Sequence, residues 1–162
     1  MTEETKNNDD IKRLELAHKI REFHHNSLWE EEKHFTWLVS IVLSAQIIVY
    51  TSNSLCNQDK LIFVLVGSLI GIFLCITAYR TLRKEGAFFH TALSKFVEEY
   101  NAIYVTSPLP KVPEKANKDI SELIKLFFTG KVGVRDCFQL LFLFFMLIFV
   151  FISVYGFLTL GN

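Results

Sequence analysis

Charged and apolar residues occupy separate blocks of this chain. No charged side chain stands between Leu61 and Tyr79, and none from Cys137 to Asn162. A bilayer core of about 30 Å takes about 20 helical residues, whereas the core of a soluble domain seldom needs so long a charge-free run. The two blocks predict membrane spans over residues 61–79 and 137–160. A third apolar run, residues 35–52, also lacks charge but is interrupted by Ser40, Ser44 and Gln46. Trp29 and Trp37 stand near one of its ends and Tyr50 near the other, as in the aromatic belts that flank spans. It is the most polar of the three predicted spans.

The intervening segments carry helical periodicity of another kind. Residues 1–34 open with a polar, frayed stretch over 1–7, after which Asp9 or Asp10 is placed to cap a helix beginning near Ile11. No Pro or Gly interrupts the chain from there to His34. Leu16, Ile20, Phe23 and Ser27 recur at three- and four-residue spacing, and so do Ile11, Leu14 and Ala17. This is an amphipathic pattern. Residues 53–60 form a polar loop short enough to make the first two spans antiparallel. Residues 80–136 begin as a continuing helix, with Leu82, Phe89, Leu93, Phe96, Tyr100 and Ile103 on one stripe. All three prolines lie in residues 107–113, which must be extended. A shorter helix is expected from about Asp119 to Phe128, and Gly130 and Gly133 then allow a turn into the third span. The run Val132-Gly133-Val134-Arg135-Asp136-Cys137-Phe138-Gln139 reads as a membrane elbow.

Lys and Arg number six before the first span, one between spans one and two, ten between spans two and three, and none after the third. The positive-inside rule turns that alternation into a topology: cytoplasmic N-terminus, outer loop, cytoplasmic long segment, outer C-terminus. The expected fold is therefore all-α, with three transmembrane helices and a cytoplasmic antiparallel helical hairpin made by the two amphipathic stripes. The expected location is a bacterial inner membrane or a plasma membrane.

Overall composition adds limits. The formal net charge of the 162 residues is zero, so no general attraction to nucleic acid is expected. The first 34 residues lack the apolar region of a signal peptide, so residues from Phe35 read as an uncleaved signal anchor. Cys56, Cys75 and Cys137 match neither a disulfide framework nor a zinc pattern. Cys56 alone falls on the predicted outer side.

Candidate chemistry is sparse. Glu31 and His34 share a helix face, the spacing used by carboxylate-bridged di-metal bundles. A second such pair is missing, and Glu30, Glu31, Glu32, Lys33 and His34 read as a solvated charge cluster. His24, His25 and His90 lack the spacing of histidine boxes. Ser40 and Ser44, four apart, form with Gln46 a polar seam within span one, suited to a pore lining or to hydrogen bonds between helices. No ionisable residue lies within any span, which argues against ion-coupled transport. Gly67, Ser68 and Gly71 make a small-residue face in span two, for contact with another copy or with a span of the same chain. Pro110-Lys111-Val112-Pro113 matches a bare PxxP but reads as a stiff linker. No phosphate loop, nucleophile elbow or metal-ligand set is present, and neither catalysis nor a cofactor is expected.

The layout of residues 11 to about 104 is a charged amphipathic helix, a tight two-span hairpin and a long returning amphipathic helix. It resembles, in architecture, the small two-helix membrane effector domains of the SLATT type in bacterial defence and nucleotide-signalling systems, with the third span as an addition. The resemblance implies membrane disruption by oligomeric pores after activation. The leading expectation is a small membrane protein acting through assembly, with the lipid bilayer and further copies of itself as partners. A non-catalytic adaptor that holds a cytoplasmic protein through its amphipathic helices is the rival. A metalloenzyme using Glu31 and His34 is a distant third.

Overall fold

A computed structural model describes the backbone of residues 3–113, 118–130 and 133–161, and side-chain surroundings from residue 8 onward. The described residues are helical apart from their connections. In chain order the helices are α1 (Glu3–Thr51), α2 (Asn57–Ile103), α3 (Ile120–Phe128) and α4 (Val134–Leu160). Three of them, α1, α2 and α4, are long and apolar enough to cross a membrane. Val132, at the start of the elbow, lies outside the described residues.

The helix boundaries follow local chemistry. Helix α1 starts at Glu3 rather than near Ile11. Its first turns hold Glu, Lys and Asn without a Pro or Gly to stop them, and acidic groups suit the positive end of the helix dipole. Asp9 and Asp10 thus sit inside the helix instead of capping it. Helix α2 begins after a tight loop, and its first turn closes where the Lys60 N–H donates to the Cys56 carbonyl at 3.1 Å. It ends at Ile103, shortly before Pro108. Gly130, at φ 67°, takes the left-handed conformation that closes α3, where the Gly130 N–H donates to the Phe127 carbonyl at 3.2 Å. The Asp136 carboxylate in the first turn of α4 accepts the Gly133 N–H at 3.4 Å.

The chain divides into two compact units, each with its own packing. One comprises residues 31–82 and 120–162. Here Phe35 meets Phe142 and Tyr50 meets Tyr155, so α1 and α4 run in the same direction. Gly71 faces Phe149 and Gly156 faces Val64, so α2 runs opposite to α4. The buried apolar side chains include Phe35 and Val39 of α1, Val64, Cys75, Ala78 and Leu82 of α2, and Phe142 and Phe149 of α4. Helix α3 adds Leu123 to this core.

The other unit comprises residues 1–30 and 83–119. Its contacts pair His18 with Phe96, His25 with Phe89 and His24 with Glu85, a sequence that runs in opposite directions along α1 and α2. The Arg21 guanidinium lies 4.5 Å from the centre of the Phe96 ring. Of the two stripes expected on α1, the one with Ile11, Leu14 and Ala17 turns inward only in part: Ala17 is buried and Leu14 half-buried, while Ile11 is exposed. Leu16, Ile20 and Phe23 are exposed. The inward line is completed by half-buried Arg21 and His24, which lay their planar groups on α2 aromatics. The proline segment is more than a spacer. The Asn101 side chain donates to the Leu109 carbonyl at 3.1 Å and accepts the Leu109 N–H at 2.7 Å, and the His90 ring bonds to the Pro113 carbonyl.

Candidate functional site

The polar groups of the predicted spans fall into three places. Gln46, on α1, turns into the bundle and is buried. Its Nε2 donates to the Val64 carbonyl at 2.9 Å and to Ser68 Oγ at 2.8 Å, both on α2. The Val64 carbonyl belongs to the α2 ladder and accepts this second donor with its free lone pair. Gln46 Oε1 stays buried without a hydrogen-bond partner among the described residues. Beside Gln46 an apolar cleft of about 200 Å³ lies between Tyr50 and Thr51 of α1 and Phe151, Tyr155 and Gly156 of α4.

Ser40 and Ser44 lie elsewhere on α1. Both are exposed, on the side that also carries Trp37, Ile41 and Ile48. Ser40 Oγ donates to the Thr36 carbonyl one turn back at 2.8 Å. The structure therefore keeps the two serines together and separates them from Gln46. Helical geometry requires this, since positions 40 and 44 share a face and position 46 is two residues on.

The small-residue face of α2 is occupied within the chain. Gly67 lies against the Gln46 side chain, and a Cβ there would stand 3.0 Å from Gln46 Cγ. Ser68 is fully buried on the same amide. Gly71 lies under the Phe149 ring of α4. The two glycines thus serve two neighbours of the same chain, α1 and α4.

A third polar group, within the cluster expected to be solvated, is buried instead. Glu32, three residues before span one, is 1% exposed, while Glu31 is half-buried and His34 exposed. Asp136 and Gln139, in the first two turns of α4, are 4% and 1% exposed. Glu32 Oε1 and Gln139 Nε2 have no hydrogen-bond partner among the described residues. Arg135 Nη2 lies 3.9 Å from Asp136 Oδ1 and its charge also acts on Glu32. Burial pushes the Glu32 carboxyl up to about 7, against the pull of Arg135. The signal available in the sequence is the helical register: Glu32 precedes Phe35 and Val39 by three and seven residues, on their face, whereas Lys33 and His34 point away.

The histidines do not converge. His24 stands 3.7 Å from Glu85, His25 accepts the Trp29 indole N–H at 3.1 Å, and His90 binds the Pro113 carbonyl. Among the described residues no three His, Cys, Asp or Glu side chains form a metal-ligand group. Cys56 is exposed, Cys75 buried and Cys137 half-buried, all as free thiols. No family model, curated protein or solved structure matches the chain.

Proposed function

We propose that the chain is a multi-pass membrane protein that acts through assembly of several copies and permeabilises the membrane as an effector. Its N-terminus would face the cytoplasm and its C-terminus the outside, the arrangement favoured by the Lys and Arg alternation. The observation that carries the assembly reading is the outward placement of Ser40 and Ser44 on span one. Small hydroxyl residues four apart allow close approach of helix backbones in lipid. The other small or polar faces, at Gln46, Gly67 and Gly71, are engaged inside the chain. A seam between copies would therefore use the serine face, and a ring of such seams would supply a polar path. The resemblance to SLATT-type effectors points the same way.

Purified protein in liposomes is expected to release an entrapped dye. Replacing both serines, Ser40→Leu with Ser44→Leu, should abolish release while helix content is unchanged. Release that survives the double substitution removes the serine seam, and absence of release from the unaltered protein removes the effector reading.

The adaptor reading is favoured by a different observation. Leu16, Ile20 and Phe23 form an exposed apolar stripe on the charged part of α1, Phe23 being 68% exposed. A partner protein could cover such a stripe. An adaptor is expected to be harmless when overexpressed and to co-purify with one dominant protein. That protein should be lost with Leu16→Glu and Phe23→Glu.

A further inference from the structure

Helix α3 has more apolar surface than its own packing uses. Leu123 is fully buried and Leu126 half-buried, which accounts for the side turned to the protein. Ile120, Ile124, Phe127 and Phe128 are all exposed, Phe128 at 83%. Ser121, Glu122 and Lys125 share the remaining side. The exposed apolar side continues into a groove of about 450 Å³ between α3 and α4. Ile124, Phe127 and Phe128 form one wall, and Cys137, Leu140 and Phe144 stand on the other. No charged side chain lines it.

What covers this surface follows from where α4 lies. On the reading of α4 as the third span, the groove wall from Cys137 to Phe144 descends about 10 Å along that span. That exceeds the depth of the polar headgroup layer, which is about 5–8 Å on each side of the bilayer. A soluble protein cannot reach so far down the wall, but an acyl chain is already there. Five residues, 129–133, join α3 to α4 and reach at most about 17 Å, so α3 cannot leave the interface. Phe144, exposed on the outer side of α4, makes the groove continuous with the surface that lipid covers.

We propose that α3 is an interfacial helix lying on the leaflet at the start of span three, with an acyl chain of that leaflet in the groove between α3 and α4. Phe127 and Phe128 enter the boundary between headgroups and chains, as the apolar face of a membrane-surface helix does. Lys125 stays on the headgroup side.

The inference rests on the membrane reading of α4, and the test separates the two. Full-length protein with Trp29→Phe and Trp37→Phe carries one added tryptophan at a time and is reconstituted into phosphatidylcholine vesicles. Phe128→Trp, and independently Ile124→Trp, is expected to be quenched by lipids brominated near the carbonyl end of the chain and shielded from aqueous iodide. Phe151→Trp, exposed on α4, reports on the span itself. Quenching by bromolipid at position 151 but at neither 124 nor 128 overturns the α3 proposal and leaves the span intact. Loss at all positions overturns both. As a second measurement, Phe127→Glu with Phe128→Glu in the otherwise native protein should expose Lys125 and speed its tryptic cleavage in vesicles several-fold. Equal cleavage rates overturn the proposal.

Discussion

The Phe149 ring fills the space that a side chain at Gly71 would need, so the absence of a Cβ on α2 fixes how closely α4 can approach. The atoms that a new methyl would meet belong to a rigid, fully buried ring. Gly67 differs, because its neighbour is the more flexible Gln46 side chain. Gly71→Ala is therefore expected to destabilise the unit of residues 31–82 and 120–162 by about 1–3 kcal/mol, even after the gain of up to about 1 kcal/mol in helix propensity. Gly67→Ala should cost less. Thermal unfolding in detergent, followed by circular dichroism, checks the order; equal midpoints for the two variants would refute it.

Gln46 ties α1 to α2 through two hydrogen bonds, and Ser68 receives one of them. Ser68→Ala leaves the bond to the Val64 carbonyl in place and should lower stability by about 0.5–1.5 kcal/mol. Gln46→Leu removes both bonds and the unpartnered Oε1 together, so its net cost should be smaller than the loss of two bonds implies. A double-mutant cycle on unfolding free energy measures the coupling. A coupling of zero between positions 46 and 68 would show that the bond adds nothing.

Glu32 gives the protein a stability that falls as pH rises. Its carboxyl is raised from 4.5 to about 7 by burial, so between those pH values the folded state holds a proton that the unfolded state has released. Stability contributed by this group is complete below pH 4.5, falls as pH rises, and is fully lost above about 7. With allowance for nearby solvent the total change should be about 1–2 kcal/mol. Glu32→Gln is expected to flatten the unfolding midpoint across this window, and Arg135→Gln to move it to higher pH because a neutralising charge is gone. A midpoint that rises from pH 5 to pH 7 in the parent and not in Glu32→Gln would contradict the assignment.

Asn101 holds the proline segment by an amide pair that resembles one rung of a sheet, donating to and accepting from Leu109. Asn101→Ala should release the segment and cost about 1–2 kcal/mol locally. Asn101→Asp keeps the acceptor and loses the donor, so it should retain part of the effect. Hydrogen exchange at the Leu109 amide reads this directly: it should speed most in the alanine variant, and unchanged exchange would count against the contact.

Much of this architecture was legible in the sequence. Charge-free runs of bilayer length give α2 and α4 their apolar stretches, the prolines stop α2, and residues 119–128 were readable as the separate helix α3. Each signal is local, a matter of length, charge or backbone restriction, and local signals do not depend on neighbours. The amphipathic stripes were legible as periods but not as directions. Leu16, Ile20 and Phe23 have as good a spacing as Leu14 and Ala17, yet only the latter turn inward, against α2 residues distant in sequence. The same limit applies to the polar positions. Composition marks Ser40, Ser44 and Gln46 as polar residues within one span, and adjacency invites a single seam. Packing puts Gln46 on Ser68 and leaves the serines outside.

The sequence by itself determined the number and type of the helices, because hydropathy over bilayer length and helix-breaking residues act within each segment. Tertiary structure decided which face of each helix is inside. It placed Phe149 on Gly71, closed Gln46 onto Ser68 and buried Glu32 beside Arg135 of α4. Those outcomes depend on pairs more than 20 residues apart, whose volumes and partners no single helix encodes.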